Sequence, residues 1–471
     1  MEKTKKESRK MNLAEAIIVF LICFAVIAVA AITGAFPIGM ALLLAVVICG
    51  LYGTLVLHFS WDELFDSALK TISNVMFGIL FCLSVGFVSA SWIASGTIPF
   101  MMYWGLELIN PQVFLLVAFV ISALTSWLTG QAWTMVPSLG LAFMGIANAL
   151  GIPAPMAAAA IASGCFIGDG ASPLCEVPTI ASISSGENNV MKTIKSMIPT
   201  LGTAIVATCV LYLVIGFGID VETGQSSAVT DLQDAVSSGF NLSIITILPL
   251  VLVFVLVFVK FPILPAVVLG SLLGVVIAVL LQGEDLGEVI NMMWNGYVCD
   301  SGNAELDSLL TRGGIMDFAS TIIMMLFGFA FAGIIQKMGM LEAIMNPVLK
   351  HVKNRGVLIL ATSITEIITV VVSGTANVSS ILNGSVYKDA YEREGLQPCN
   401  LARTMSMNGP FVCCMLPWTA SGALCFVSLG VSNFAYWPYM FVFYISFLLN
   451  IIFGFMGKFT PTLDKAKTES A

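Results

Sequence analysis

Three acids lie in or beside long apolar runs: Asp169, Glu176 and Glu366. A charge buried at the centre of a bilayer is unfavourable by several kcal/mol, so such acids are retained where they bind an ion, carry a proton or meet a partner. Asp169 and Glu176 share the segment Gly168–Asp169–Gly170–Ala171–Ser172–Pro173–Leu174–Cys175–Glu176–Val177–Pro178–Thr179. Proline removes a backbone donor and frees a carbonyl one turn earlier. A break of this kind places carbonyls, hydroxyls and carboxylates together, a set that suits a small hard cation such as Na⁺ or its replacement by H⁺. Asp169 ahead of Ser172–Pro173 also suits a plain helix cap. Glu366 reads either as a proton site or as a partner for Arg403.

The elements that position these acids occur twice. In the first half, Val113 to Leu128 leads to a polar tip, Thr129 to Thr134, with Gln131 and Thr134 as its candidate lining residues. In the second, Val357 to Val372 leads to Ser373–Gly374–Thr375–Ala376–Asn377, where Ser373, Thr375 and Asn377 are the candidates. Both stretches read as re-entrant hairpins, because the return limb after Asn377 carries Lys388, Asp389, Glu392, Arg393 and Glu394, too much charge for a lipid-facing crossing. After each hairpin comes a crossing segment with a predicted break. The breaks fall at Gly168 and Pro173, with Ser172 and Thr179 nearby, and at Gly409 and Pro417, with Asn408, Thr419 and Ser421 nearby. Na⁺ is expected at Asp169, Ser172, Thr375 and Asn377.

The surrounding chain is apolar. Of 471 residues 58% are hydrophobic and 10% charged, far from the roughly 25% charge of soluble domains. Runs long enough to span a bilayer recur throughout, and none shows the short alternating strands of a barrel. The fold class predicted is an all-α polytopic membrane protein with about ten full crossings, two re-entrant hairpins and discontinuous helices at its centre. Basic residues before the first span (Lys3, Lys5, Lys6, Arg9 and Lys10) place the N-terminus in the cytoplasm of a cell-membrane protein, and the same count places the C-terminal tail there. The acids of Asp220 to Asp234 and Glu284 to Asp317 are predicted to be solvated outside loops, so the net charge of −8 does not signal a basic partner or nucleic acid.

Positions also recur at an interval of 244: Gly130 with Gly374, Gly151 with Gly395, Pro173 with Pro417. The predicted organisation is a tail over 1–12, a first helix over 13–36, a repeat over 37–218, an outside loop and connecting helix over 219–261, a second repeat of opposite orientation over 262–457, and a tail over 458–471. Inverted halves of this kind suit alternating access around a central site. The partners expected are the bilayer and a small ion or small organic substrate, with a homodimer left open.

Catalysis has little support. His58 and His351 lie away from the broken segments, so no Cys-His or Ser-His arrangement forms there. The eleven cysteines lack any Cys-x-x-Cys spacing and read as buried small hydrophobes. No cofactor is expected beyond Na⁺ and H⁺ as transported or coupling ions. A passive channel is the other reading that the halves allow.

Several motifs carry a resemblance: Ser95–Gly96–Thr97–Ile98–Pro99, the run from Gly145 to Pro155, Gly168–Asp169 with Ser172–Pro173–Leu174, Lys388–Asp389–Ala390–Tyr391, Arg403–Thr404, and Pro417–Trp418 with Gly422–Ala423. On these the chain resembles the NhaC family of sodium/proton antiporters over nearly its whole length. The resemblance implies exchange driven by Na⁺ or H⁺ gradients, either Na⁺ for H⁺ or, as in malate/lactate-exchanger-like members, an organic acid; an amino acid is a further alternative. The chain departs from the family pattern at Gly170, Cys175, Glu176, Val177, Pro178 and Thr179, where the family reads Lys, Ser, Asp, Thr, Thr and Asn, and at Ser406 and Met407, where it carries a Glu-Asp pair.

Overall fold

Glycine and proline set where the helices begin and stop. In the computed structural model, which describes residues 8–33, 35–108, 110–219, 225–259, 261–350 and 354–463, the first half runs α1 (Leu13–Thr33), α2 (Ile38–Leu55), α3 (Trp61–Asn74), α4 (Met76–Ala94) and α5 (Thr97–Leu108). A hairpin of α6 (Phe114–Thr129) and α7 (Ala132–Ala149) follows, then α8 (Ala154–Ala171), α9 (Glu176–Ser185), α10 (Val190–Met197) and α11 (Thr203–Phe217). Two connecting helices, α12 (Gln225–Gly239) and α13 (Leu248–Phe258), precede α14 (Ile263–Ile277), α15 (Leu286–Asn295), α16 (Ala304–Leu310), α17 (Ala319–Lys337) and α18 (Met340–Lys350). A second hairpin, α19 (Arg355–Ser373) and α20 (Ala376–Arg393), leads to α21 (Cys399–Met415), α22 (Ala420–Leu429), α23 (Asn433–Tyr436) and α24 (Phe441–Met456). The readings that rest on Lys3, Lys5, Lys6, Asp220, His351 and the C-terminal tail beyond residue 463 lie outside the described residues.

The molecule is an all-helical polytopic membrane protein. Among the described residues ten helices are long and apolar enough to cross a membrane, or up to thirteen spans if each of three bent pairs counts as one. Hairpin limbs α6, α7 and α19 are among the ten, so length alone does not set them apart from crossings. The charged α20 is not among them. Burial separates centre from rim: α7 is 89% and α8 83% buried, against 28% for α1. The rim helices turn Ile18, Leu21, Val206 and Val214 outward, as a lipid-facing surface requires.

The 244-residue interval governs helix ends as well as residue types. The ends of α8 and α21 (Ala171 and Met415), the starts of α9 and α22 (Glu176 and Ala420), and their left-handed C-caps Gly186 and Gly430 all keep it. Upstream the register shifts. Ser60 and Asp285, which cap α3 and α15 with their side chains, differ by 225, whereas the left-handed Gly96 and Gly339 differ by 243. Ser60 to Gly96 is 36 residues and Asp285 to Gly339 is 54, so the second half carries 18 more. They form the segment around α16 that packs back on α4, where Gly314 donates to the Gly86 carbonyl at 3.1 Å.

Two predicted breaks move. Gly168 is not a break: α8 runs through it to Ala171. A Cβ there would lie 2.0 Å from Ser126 Oγ, so this glycine lets α6 and α8 approach closely. Gly409 likewise sits inside α21, which also absorbs Pro410 and ends at Met415. Between α8 and α9 the chain departs from helix at Ser172 to Cys175, and between α21 and α22 at Leu416 to Thr419, the stretches that hold Pro173 and Pro417. The acidic stretches expected as loops are in part helical, as α12, α15 and α16 show.

Candidate functional site

A helix that stops inside a membrane leaves carbonyls without partners at one end and N–H groups at the other. Here the carbonyls are met by side chains. Trp127 Nε1 donates to Ala171 O at 3.1 Å at the end of α8, and Trp437 Nε1 donates to Met415 O at 2.5 Å at the end of α21. Asn433 Nδ2 and the Tyr436 hydroxyl both donate to Cys414 O.

The opposite ends face a common space. A cavity of about 400 Å³ is lined by the first residues of four helices: Gln131 and Trp133 at α7, Glu176 and Val177 at α9, Thr375 and Asn377 at α20, Ala420 and Ser421 at α22. Each N-terminus is prepared differently. The hairpin tips turn through Gly130 and Gly374, whose φ values of 69° and 74° lie in the left-handed region that glycine adopts without strain. Thr375 and Thr419 cap α20 and α22, accepting from the N–H groups of Val378 and Gly422 at 3.3 and 3.0 Å. α7 has no cap from its own chain segment; instead Asp169 Oδ1, projecting from α8, accepts from the Ala132 N–H at 3.2 Å. α9 begins on Glu176 itself.

The two acids differ in environment. Asp169 is 6% exposed, while Glu176 is open to the cavity. Asn377 Nδ2 donates to Glu176 Oε1 at 2.7 Å, joining the two halves of the chain across the site.

Of the predicted site residues, Asp169, Glu176, Gln131, Thr375, Asn377 and Ser421 line the cavity. The others do not. The Ser172 hydroxyl accepts from the Leu174 N–H at 3.2 Å and is fully buried; Thr179 donates to the Cys175 carbonyl at 3.1 Å. Ser373 donates to the Thr375 carbonyl at 3.1 Å, and Thr419 donates to the Cys413 carbonyl at 2.5 Å, so both stabilise turns. Thr134 and Asn408 are buried away from the cavity, with the Thr134 hydroxyl and both side-chain polar atoms of Asn408 unpartnered. Arg403 does not pair with Glu366. Its guanidinium donates to Asn450 Oδ1 at 3.1 Å and to the carbonyls of Ser196 and Phe459 at 3.2 and 2.7 Å.

Several cavity residues escaped the sequence reading, Asn74 and Cys413 among them. Asn74, where α3 gives way to α4, is a lone amide in an apolar run. Cys413 stands 244 residues after Asp169 and takes its place on α21; the interval was available to find it. Trp133, within the predicted tip, packs edge-on to Phe81 at 5.5 Å and forms part of the cavity wall. No cluster of three or more His, Cys, Asp or Glu that would hold a transition metal occurs among the described residues.

Comparison with known proteins decides the class. The sequence profile of the Na⁺/H⁺ antiporter family matches residues 164–458, from the middle of α8 to the end of α24. The chain is 33% identical to the malate-2H⁺/Na⁺-lactate antiporter of Bacillus subtilis (strain 168), over 96% of this chain and 97% of that protein. The chain belongs to the Na⁺/H⁺ antiporter family. Within the family it is also similar to the Na⁺/H⁺ antiporter NhaC of Alkalihalophilus pseudofirmus, at 32% identity over 89% of this chain and 90% of the relative. A third relative is the arginine/ornithine antiporter ArcD of Halobacterium salinarum, at 32% identity over 85% and 82%. Membership makes the chain a transporter of the antiport type and not an enzyme.

Proposed function

We propose that this antiporter exchanges Na⁺ for H⁺ across the cell membrane by alternating access, with both termini in the cytoplasm and with Asp169 and Glu176 as the carboxylates that take one ion in place of the other. The observation that carries this reading is the convergence of both acids on one cavity built from both halves of the chain. A helix N-terminus behaves as roughly half a positive charge, so four of them offset about two carboxylates. The ionised pair is therefore tolerable in mid-membrane without a lysine or arginine beside it. The Gln131 amide, the Thr375 and Ser421 hydroxyls and the carboxylates supply the oxygen ligands that Na⁺ seeks.

The same charge balance favours a second reading. When both carboxylates bind protons the four N-termini are left uncompensated, and the cavity then attracts an anion. A volume of about 400 Å³ exceeds the needs of one small cation, and α20 and α22 carry no acid of their own at the cavity. A small organic carboxylate, or an amino acid through its carboxylate, would sit against Thr375, Asn377 and Ser421 and enter with protons. Relatives named for malate and lactate exchange or for arginine and ornithine exchange lend this reading support.

The deciding experiment is counterflow in proteoliposomes, with Na⁺, H⁺, dicarboxylates, monocarboxylates and basic amino acids tested in turn. Proton movement driven by a Na⁺ gradient alone supports plain cation exchange. Proton movement that requires an organic acid supports the second reading, and flux insensitive to any opposing gradient overturns both.

A further inference from the structure

Glu366 lies on α19, seven residues before the hairpin tip, and is wholly buried without lining the cavity. Oε2 accepts from Asn383 Nδ2 at 2.7 Å, and the Asn383 amide is oriented by the Thr365 hydroxyl, which donates to its Oδ1 at 3.0 Å. Oε1 has no partner. No ion pair among the described residues involves Glu366. Among the described residues, charges on the elements packed around it are engaged elsewhere: Arg403 of α21 by Asn450 and two carbonyls, Glu342 of α18 by Lys10, and Lys388 of α20 lies against Gly186. α20 presents Ser379 and Asn383, and α21 presents the Cys413 thiol. α24 has no charged residue, and the one on α17, Lys337, stands 5.9 Å from the centre of the Phe59 ring. An enclosed carboxylate with a free oxygen and no cation is strongly disfavoured, whereas the neutral acid is easily housed.

The free oxygen and the cavity-lining Ala376 both approach Gly409, whose missing side chain leaves a slot between them. A Cβ on Gly409 would lie 3.2 Å from Glu366 Oε1 and 2.9 Å from the Ala376 Cβ, and Ala376 lines the cavity beside Pro410.

We propose that Glu366 binds a proton carried in each exchange cycle, at a site behind the cavity and separate from Asp169 and Glu176. The inference rests on the antiport reading above. It assigns Gly409 the task of keeping the acid in reach of the cavity when the site is occupied or vacated.

The test measures the number of protons moved per turnover, from the opposing gradients that bring net flux to zero in proteoliposomes. Glu366→Gln should lower that number by one while tracer exchange of the co-substrate across equal concentrations continues, and Glu366→Asp should restore the wild-type number. A wild-type number in Glu366→Gln overturns the proposal. Should that variant fail to insert, Gly409→Ala takes its place: closing the slot should slow proton-coupled turnover by about tenfold or more, one buried methyl being enough to raise a barrier by that factor, with tracer exchange intact. Unchanged coupled turnover in Gly409→Ala then overturns it. If the wild-type protein moves no protons at all, the proton-coupled reading itself fails and this site falls with it, an outcome distinct from either variant result.

Discussion

Asn377 and Glu176 lie 201 residues apart in sequence, and the Asn377 amide donates to Glu176 Oε1 over 2.7 Å, making one polar contact between the halves at the centre of the site. Polar contacts between membrane helices average about 0.6 kcal/mol and reach about 1.7. A double-mutant cycle of Asn377→Ala with Glu176→Ala, read by thermal unfolding in detergent, should give a coupling in that range. Transport should respond more strongly than stability, because the contact must break and re-form if the halves move against each other. Additive effects on both readouts would mean that the two side chains do not act together.

Asp169 has two tasks that substitution can separate. Asparagine keeps an oxygen for the Ala132 N–H, and Asn and Asp are about equal as caps; alanine keeps none. Asp169→Asn should therefore insert with near-wild-type stability and lose coupled transport. Asp169→Ala should lose transport and also about 0.5–2 kcal/mol of stability. Normal Na⁺-dependent flux in Asp169→Asn would remove this residue from the ion site.

How much of this was legible in the sequence depends on how local each cause is. Apolar runs, hairpin tips at Gly130 and Gly374, and the stops before Pro173 and Pro417 follow from backbone chemistry within a few residues, and they could be read directly. Gly168 and Gly409 misled because a glycine has two uses. Its missing side chain can loosen a helix or admit a neighbour, and here Ser126 and Glu366 are the neighbours. Ser172 and Thr179 look like ion ligands by type, yet their hydroxyls are taken up by the backbone groups of Leu174 and Cys175. Asn74 reaches the cavity through tertiary packing, which no window of sequence displays, whereas Cys413 could be found only through its 244-residue interval from Asp169.

Two departures from the family pattern prove to be one. Ser406 donates to the Gly170 carbonyl at 2.6 Å, and a Cβ on Gly170 would sit 2.9 Å from the Ser406 carbonyl oxygen. The contact thus closes α8 against α21 where the resemblance implies longer charged side chains. Gly170→Ala should cost about 1–3 kcal/mol, because the clash is with backbone and the helices must part. Ser406→Ala removes one hydrogen bond between membrane helices and should cost about 0.6 kcal/mol. The order of the two melting temperatures checks the argument; a larger loss for Ser406→Ala would contradict it.

The two hairpin glycines are equivalent in conformation and unequal in surroundings. An alanine at either position meets the left-handed penalty of roughly 1–2 kcal/mol. At Gly374 the added Cβ would lie 2.6 Å from the Phe329 ring, a side chain that a smaller residue relieves. At Gly130 it would lie 2.9 Å from the Leu174 carbonyl carbon and 3.0 Å from the Cys175 nitrogen, backbone of the very break that carries Glu176. Gly374→Ala should therefore be partly rescued in transport and stability by Phe329→Leu. Gly130→Ala should be the more damaging of the two, displace the break, and resist rescue by Leu174→Ala because the Cys175 nitrogen remains in the way. Equal losses at the two glycines, or full rescue of Gly130→Ala by Leu174→Ala, would show that the first tip does not rest on the break.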